Sequence, residues 1–350
     1  PWSYAFDFGQ SGRERGFQSR TDFSDLPNSG TITVPFCPES QLSGVEHTDF
    51  IEMMWYHRQV SVPASWTGQR IVLHFGGVDY ECEIFIDGDA VGRHWGGTVA
   101  FSFDVTDHVK PGETHDLVVF VRDEVRSGIQ PGGKQCHAYH SFGCLYTRTT
   151  GIWQTVWMEA VPEFGLKDIQ IIPDLDNASF VVVPAFYADR QGLRFRATVR
   201  ASGKVVDRRT LVASSGLPYV LPLANPRAWS PEDPFLYDLT FEVLDGTTVI
   251  DTVRSYAGLR KVHVEGNRLF LNNRPFYLRL VLDQGFYPDG LWTAPSDEAL
   301  KRDIELSMAA GFNGARLHQK VFEPRFHYWA DRLGYVTWGE SSSWGIDVTD

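Results

Sequence analysis

The stretch RPFYLRLVLDQGFYPDG, residues 274–290, opens the part of the chain that decides the fold. Two further stretches continue it at fixed intervals: GARLHQK at 314–320 and YVTWGESSSWG at 335–345. Three apolar runs in this region predict strands, namely 276–282, 314–318 and 335–338. Because only short links separate them from two amphipathic segments, we expect parallel strands with helices packed outside.

The two amphipathic segments carry helix start and stop signals. The first begins after Pro295 with Ser296 as its N-cap and ends at Gly311. The second begins at Pro324, which the first helical position tolerates, and ends at Gly334. Apolar residues recur at helical spacing in both: Leu300, Ile304 and Met308, then Phe326, Trp329, Ala330 and Leu333.

Polar side chains stand where each predicted strand ends. In a parallel sheet or barrel, chemistry gathers at the carboxyl ends of the strands. Carboxylate, amide, imidazole and guanidinium groups can hydrogen-bond the hydroxyls of a polar substrate there. The candidate substrate-binding residues are Asp283, Gln284, Arg316, His318, Trp338 and Glu340.

Arg316 and His318 lie two residues apart on one predicted strand, so their side chains share a face. A functional role is the interpretation that we favour for His318. For Arg316, a structural ion pair with a carboxylate is the alternative, and Glu340 is the candidate partner. Both roles stay open for this pair.

The upstream residues predict two all-β units. From 1 to 162, many short strands alternate apolar and polar residues, and Asp87-Gly88 predicts a hairpin turn, which indicates a β jelly-roll sandwich. From 163 to 262, about 100 residues with the same alternation fit an immunoglobulin-like β-sandwich. The third unit, 263–350, holds the predicted parallel strands.

Composition excludes several function classes. The formal net charge is −12, which argues against nucleic acid or an anionic membrane as a partner. No apolar run approaches the roughly 18–20 residues of a membrane span. Four cysteines are too few for a disulfide scaffold, so free buried thiols are expected. The sequence leaves a homo-oligomer open.

The sequence gives little support for a metal site or a nucleotide site. Cys136, His137, His140 and Cys144 are close in sequence, but their spacing matches no standard zinc pattern. The segment Gly132-Gly133-Lys134 lacks the first glycine of a phosphate-binding loop. We therefore expect no metal and no cofactor.

Motifs along nearly the whole chain resemble glycoside hydrolase family 2, which contains β-galactosidases, β-glucuronidases and β-mannosidases. They are VPFCPES (34–40), WYHRQV (55–60), GGVDYECEIFIDG (76–88), YTRTTGIWQTVWME (146–159), WSPEDPFLYDL (229–239), and the 282–340 region around LDQGFYPDG, ARLHQK and WGE. The resemblance implies that 1–162 is the family's N-terminal sugar-binding domain and that 263–350 is the first part of a (β/α)8 TIM barrel, as far as strand three. It also implies that the ArgXxHis-type segment, here Arg316 and His318, lines the sugar subsite.

The resemblance implies a retaining hydrolase of terminal β-linked sugars, which needs two carboxyl groups about 5–5.5 Å apart. The family's acid/base belongs to an Asn-Glu pair, and no such dipeptide occurs in this sequence. Both catalytic glutamates are therefore expected beyond Asp350, so that residues 1–350 alone are expected to be inactive.

A β-galactoside is the preferred substrate. A β-glucuronide is the main rival, because Arg316 could bind a uronate carboxylate bidentately, and a β-mannoside is third. Gln284 stands where the family often has a histidine, which leaves the sugar open. A non-catalytic carbohydrate-binding protein is the alternative from another class. The chain starts at Pro1, so we expect it to have been processed or trimmed. The compartment is not fixed, although a cytoplasmic location is preferred to a periplasmic or secreted one.

Overall fold

The computed structural model describes residues 2–346, and its first region is built from antiparallel strands. They are β1 Trp2–Phe6, β2 Ser29–Ile32, β3 Met53–Ser61, β4 Arg70–Phe75, β5 Val78–Asp79, β6 Glu81–Ile86, β7 Asp89–Trp95, β8 Phe101–Asp104, β9 Thr114–Arg122, β10 Gly151–Ile152 and β11 Val156–Val161. A six-stranded sheet has the order β2-β1-β3-β9-β6-β7, a three-stranded sheet the order β11-β4-β8, and β10 pairs with β5.

One core lies between the two larger sheets of this region. Ile71 and Leu73 of β4 are buried in the same cluster as Ile84 of β6 and Val119 of β9. The alternation of apolar and polar residues along each strand places these side chains on the inner faces. The Asp87-Gly88 hairpin between β6 and β7 is confirmed, with the positive φ angles of 51° and 90° that a two-residue turn requires.

The second region repeats this arrangement with a separate core. Its strands are β12 Leu166–Asp174, β13 Ser179–Phe186, β14 Arg194–Ala201, β15 Lys204–Val212, β16 Tyr219–Pro222, β17 Tyr237–Asp245 and β18 Thr248–Ala257. They form the sheets β12-β13-β16 and β15-β14-β17-β18. Phe195, Ala197 and Val199 of β14 are buried in its core, as expected from the alternation of apolar and polar residues in this part of the sequence.

The third region carries the helices and a parallel sheet. Its elements are β19 Val262–Glu265, β20 Arg268–Leu271, β21 Arg274–Pro275, β22 Leu280–Asp283, α1 Asp297–Ala309, β23 Gly314–Leu317, α2 Pro324–Leu333 and β24 Val336–Gly339. The strands β22-β23-β24 pair in parallel, and β19-β20-β21 form a small antiparallel sheet. The Ser296 hydroxyl accepts from the Ala299 amide, which confirms the predicted N-cap of α1.

The first predicted strand of this region, 276–282, is wrong at its beginning. Its first residues pair elsewhere, because Pro275 lies opposite Phe270 of β20 and the Phe276 amide donates to the Leu269 carbonyl. The parallel strand therefore starts only at Leu280 and ends at Asp283.

Contacts with both upstream regions hold the third region in place. The Thr293 hydroxyl donates to the carbonyl of Trp153 at 2.6 Å, and the Trp153 and Trp292 rings meet edge to face. On the other side, the Trp229 indole donates to the carbonyl of Asp331, and Arg260 pairs with its carboxylate at 2.8 Å. The parallel sheet is thus anchored at both flanks.

All four cysteines are free thiols. Three of them are buried as expected, but the expectation is wrong for Cys144, which lies exposed in the loop before β10. Its sulfur accepts from Lys134 Nζ at 3.3 Å. No helix within residues 2–346 has the length and apolar character to cross a membrane.

Candidate functional site

Three neighbouring strand ends bring together polar residues that are far apart in sequence. Gln284 follows β22, His318 follows β23 and Glu340 follows β24. Because the strands are parallel and adjacent, these ends meet at one edge of the sheet. Such an edge is where parallel α/β folds place their ligands.

Two more of the predicted residues lie on the open face of this sheet. Arg316 is in register with Leu282 on one side and Trp338 on the other, and about half of each of the three side chains is exposed. The opposite face, which carries Ala315 and Leu317, is buried against the helices. Arg316 and Trp338 therefore lie beside the strand ends on the side that is free of helices.

Asp283 faces the other way. It is in register with Leu317, on the helix side of the sheet, and its Oδ1 accepts from the Gly285 amide at 2.9 Å. Burial raises the pKa of Asp283, although the Gly285 amide and the nearby charge of Lys320 oppose that shift. The structure thus separates Asp283 from the other five predicted residues.

A chain of two hydrogen bonds and one charge contact links the strand ends. The Tyr146 hydroxyl donates to Gln284 Oε1 at 2.6 Å, and Gln284 Nε2 lies 3.2 Å from His318 Nδ1. With its oxygen occupied by Tyr146, the Gln284 amide donates to Nδ1, which places the imidazole proton on Nε2. His318 Nε2 in turn lies 3.5 Å from Glu340 Oε1.

Glu340 is the anionic centre of the edge. Its Oε2 accepts from Arg316 Nε and Nη2 at 3.1 and 2.9 Å, and its Oε1 accepts from the Gln319 amide at 2.8 Å. Burial alone would raise the pKa of Glu340, but the Gln319 amide and the Arg316 guanidinium outweigh it and hold that pKa below its usual value. The carboxylate is therefore ionised at neutral pH.

His318 is buried and stays neutral. Burial lowers the pKa of His318, the charge of Glu340 opposes this shift, and the charges of Lys134 and Arg316 support it. A neutral imidazole with a fixed tautomer offers one N–H donor at Nε2, the nitrogen that lies 3.5 Å from Glu340 Oε1. The Trp344 ring meets the imidazole edge to face at 5.8 Å.

Several residues of this edge were not predicted as site residues. Tyr146 belongs to the first region and stacks on Phe286 at 4.4 Å, while Lys134 lies 3.5 Å over the Trp344 ring. Tyr146 begins the YTRTTGIWQTVWME motif. The periodicity that predicts strands in the third region gives no indication that this residue contacts their ends. A tertiary contact of this kind leaves no periodic signal.

Lys320 is a further residue that was not predicted as part of the site. It is buried, and its Nζ donates to the carbonyls of Gly285 and Trp292 at 2.8 and 2.6 Å. Burial lowers the pKa of Lys320 to about 8, although the charges of Glu323 and Asp283 oppose the shift. By holding the Gly285 carbonyl, Lys320 fixes the turn that carries Gln284.

The loop around the four clustered cysteines and histidines is organised by ordinary hydrogen bonds. Cys136 Sγ donates to the His140 carbonyl at 3.2 Å, and the ring of His137 packs edge-on against Phe142. Across residues 2–346, no group of three or more histidine, cysteine or acidic side chains is placed to hold a metal ion.

The edge is equipped to bind a polar ligand by hydrogen bonds. It offers a neutral imidazole donor, an ionised carboxylate, a guanidinium and a half-exposed indole ring. Glu340 and Asp283 lie on opposite sides of the sheet, so these two carboxylates do not form the close pair that glycoside cleavage with retention requires.

Comparison with protein families matches the two all-β regions to one family. The sequence model described as "Glycosyl hydrolases family 2, sugar binding domain" matches residues 2–129, and the one described as "Glycosyl hydrolases family 2" matches residues 165–260.

Relatives with two different names are similar to the chain. A beta-galactosidase of Thermoanaerobacter pseudethanolicus is 23% identical over 311 residues, covering 85% of this chain and 40% of the relative. A beta-glucuronidase of Paenibacillus borealis is 24% identical over 360 residues, covering 99% of this chain and 58% of the relative. The chain thus spans about half the length of the curated relatives that it matches.

Among solved structures, the β-glucuronidase from Ruminococcus gnavus in complex with D-glucuronic acid has a TM-score of 0.84 to this chain. The two are 23% identical in sequence, and the match covers 99% of this chain and 59% of that one. At this identity the similarity establishes a shared, mostly-β multidomain fold.

Proposed function

The chain belongs to glycosyl hydrolase family 2, and on this premise we propose that it forms part of a retaining glycoside hydrolase that cleaves terminal β-linked sugars. The proposed units are a β jelly-roll sandwich at 1–162, an immunoglobulin-like β-sandwich at 163–262, and the first part of a TIM barrel at 263–350. Residues 347–350 of the last unit lie outside the described residues. The two antiparallel cores and the parallel β22-α1-β23-α2-β24 order support this division.

The observation that carries the proposal is the hydrogen-bonded network at the strand edge. Gln284, His318, Glu340 and Arg316 are joined in one chain of contacts, with Trp338 beside them. We assign these residues to binding of the terminal sugar, whose hydroxyls need donors and acceptors at fixed positions. The two catalytic glutamates are proposed to lie beyond residue 350.

A β-galactoside is the proposed substrate. The charge of Arg316 is already met by Glu340, which accepts two of its N–H groups. A neutral sugar hydroxyl can add to this pair, whereas a uronate carboxylate would have to compete with Glu340 for the same guanidinium. The ion pair therefore favours a neutral sugar.

A β-glucuronide is the second candidate. Relatives named beta-glucuronidase support it, and half of the Arg316 side chain remains exposed to a ligand. A β-mannoside remains third. The alternative from another class is a carbohydrate-binding protein without hydrolysis, since the described residues lack a close carboxylate pair at the edge.

The purified native protein, assayed on a panel of p-nitrophenyl β-glycosides, distinguishes these candidates. We expect p-nitrophenol release from the galactoside above all others. Preferred release from the glucuronide would transfer the assignment to the second candidate. No release from any glycoside, combined with calorimetric binding of the free sugars, would replace hydrolysis by binding.

The role of the edge is tested by His318→Ala in the same protein. Loss of a fixed hydrogen bond to the sugar should lower kcat/KM at least about tenfold. His263→Ala is the matched control, because His263 stacks on Phe270 in the small sheet, outside the network. Unchanged kcat/KM with a large drop in melting temperature would make His318 a structural residue instead.

A further inference from the structure

A loop of the first region, the linking loop of residues 134–146, touches the strand edge at two points. The Tyr146 hydroxyl donates to Gln284 Oε1 at 2.6 Å. Lys134 Nζ lies 3.5 Å over the ring of Trp344, which packs against the imidazole at the edge. The first and last residues of the linking loop therefore meet the segments that follow β24 and β22.

Backbone hydrogen bonds close the base of the linking loop. The Tyr146 amide donates to the Lys134 carbonyl at 2.8 Å, and the Cys136 amide donates to the Tyr146 carbonyl at 2.7 Å. These two bonds hold Lys134 and Tyr146 side by side. Any group of the first region that holds this base therefore also holds both contacts with the edge.

Gln135 ties the base of the linking loop to a buried carboxyl group. Its Oε1 accepts from the Thr149 amide at 2.7 Å, and its Nε2 donates to Asp79 Oδ2 at 2.6 Å. Because the Thr149 N–H can only donate, it faces the oxygen of the Gln135 amide and leaves the nitrogen for Asp79. Asp79 and Gln135 are 1% and 4% exposed, so water does not compete for this bond.

Asp79 itself is held firmly in the first region. It pairs with Gly151 between β5 and β10. A Cβ added at Gly97 would collide with the Asp79 carboxyl group, so the Gly97 backbone packs directly on it. The Gly97 carbonyl in turn accepts from the Trp153 indole at 2.6 Å. The carboxyl group is thus a fixed acceptor for the side chain of Gln135.

We propose that Asp79 is a positioning residue of the strand edge, which acts through Gln135 on the linking loop and through Tyr146 on the Gln284 amide. Each step of this path is a hydrogen bond or a residue of the loop base, and the path ends at His318 Nδ1. That Gln284 and His318 bind the sugar rests on the proposed function, whereas the effect of Asp79 on their geometry does not.

Loss of the Asp79 carboxyl group should therefore be felt at the imidazole. Without its buried acceptor, the Gln135 amide no longer holds the base of the linking loop, and the Tyr146 hydroxyl leaves Gln284. The Gln284 amide can then turn away from His318 Nδ1, and loss of this donor to the neutral imidazole raises the pKa of His318. Asp79→Asn keeps an oxygen that can accept from Gln135 and should preserve the path.

An NMR titration of the His318 ring protons in the purified protein tests the path. Asp79→Ala and Gln135→Met break the same hydrogen bond from its two sides, and Asp79→Asn keeps an acceptor. Ile71→Ala is the control for lost stability, because Ile71 is buried in the core of the first region. It lies near the start of β4, whereas Asp79 follows the end of that strand.

We expect the pKa of His318 to rise by less than about one unit in Asp79→Ala and in Gln135→Met, and to stay unchanged in Asp79→Asn and Ile71→Ala. Adding Asp79→Ala to Tyr146→Phe should give no further shift, since both changes act on one hydrogen bond. An unchanged pKa in Asp79→Ala, an equal shift in Asp79→Asn or Ile71→Ala, or additive shifts in the double variant would overturn the proposal.

Hydrogen exchange in the unmodified protein tests the same path if the variants do not fold. The amides of Cys136, Tyr146 and Thr149 should be protected to within about threefold of one another, because the base of the linking loop opens as one unit. A Tyr146 amide that exchanges at least about tenfold faster than the Thr149 amide would mean that Gln135 does not hold the loop, and the proposal would fail.

Release from a p-nitrophenyl β-galactoside separates this proposal from the proposed function. Asp79→Ala should lower kcat/KM about as much as Tyr146→Phe does, while Ile71→Ala leaves it unchanged below its melting temperature. A shifted His318 pKa without release from any glycoside would support the positioning role and remove only hydrolysis. Release with the same kcat/KM and the same His318 pKa in Asp79→Ala as in the unmodified protein would remove only the role of Asp79.

Discussion

Two clusters of charged residues in this molecule show opposite electrostatic behaviour. The interior cluster, in the first region, consists of Glu39, Asp79, Asp123 and Arg148, all of them buried. The edge network consists of Gln284, Arg316, His318 and Glu340. Both contain carboxylates beside an arginine, but the pKa shifts have opposite directions.

Burial dominates in the interior cluster. It raises the pKa of Glu39 to about 7 and that of Asp123 to about 6, and it raises the pKa of Asp79 as well. Arg148 lowers only the pKa of Asp123, because its N–H groups are bonded to backbone carbonyls. Glu39 Oε1 has no partner among the described residues.

In the edge network, hydrogen bonds to the ionised carboxylate of Glu340 lower its pKa by more than burial raises it. Glu340 receives three N–H groups, two of them from Arg316, and its pKa falls. The difference shows that burial and hydrogen-bond donors, and not residue type, set the direction of the pKa shift. A buried carboxylate with few donors lowers stability when it ionises, whereas one with several donors stays ionised and can bind a ligand. The interior cluster should therefore control stability, and the edge network should hardly affect it.

The largest expected effect is on Arg148. Arg148→Met removes a buried guanidinium that donates to three backbone carbonyls, those of Thr48, Cys136 and Ala138, and should lower the free energy of unfolding by about 3–5 kcal/mol. Arg316→Met removes a half-exposed ion pair and should cost less than about 1 kcal/mol. Calorimetric unfolding of both variants measures the two losses of unfolding free energy. Equal losses would contradict the proposed contrast between the two clusters.

The next effect concerns Glu39 and pH. Its folded pKa lies above the unfolded value of 4.5, so its contribution to stability is present below pH 4.5 and is lost as pH rises to about 7. Ionisation then costs roughly 3 kcal/mol, from about 1.36 kcal/mol per pKa unit. Glu39→Gln should therefore stabilise the protein at pH 8 and have little effect at pH 4.

Glu46→Gln is the control for this prediction, because Glu46 is exposed in the loop before β3. Its melting temperature should follow that of the unmodified protein at both pH values. Destabilisation by Glu39→Gln at pH 8 would mean that the ionised carboxylate is stabilised in the interior, contrary to the proposed role of burial.

The contribution of Glu340 to stability should change with pH in the opposite direction and by a smaller amount. Because its folded pKa is lowered, its contribution is present above its ordinary pKa of 4.5 and is lost as pH falls through the folded value. Glu340→Gln should cost about 1 kcal/mol or less at pH 7, and this cost should shrink as the pH falls below 4.5. Melting curves between pH 3 and 7 test this, and a loss that grows on acidification would contradict it.

Local sequence signals predicted the elements of the third region and the polar residues at its strand ends. The caps at Ser296 and Gly334 and the apolar helix faces are properties of a few neighbouring residues, so they could be read directly. The direction of Asp283 could not, because it depends on the register between β22 and β23, which places Asp283 opposite Leu317.

Residues whose roles depend on tertiary contacts could not be predicted from the sequence. Tyr146, Lys134 and Lys320 reach the edge through loops that have no periodicity, and Arg148 gave no sign of its buried position. Charged residues are usually exposed, so burial of an arginine or a lysine is the least expected outcome of a sequence reading. Only the folded structure shows that both clusters contain carboxylates near an arginine.

The smallest effect tests whether the first region helps to organise the edge network. Tyr146→Phe keeps the ring stacked on Phe286 but removes the hydroxyl that holds Gln284 Oε1. The Gln284 amide can then turn away from His318 Nδ1, and loss of a hydrogen bond to the neutral imidazole should raise the pKa of His318 by less than about one unit. An NMR titration of the His318 ring protons measures this shift, with Tyr139→Phe as the control that leaves it unchanged. An unaltered His318 pKa in Tyr146→Phe would show that the third region orients Gln284 by itself, through Lys320 and the Gly285 carbonyl.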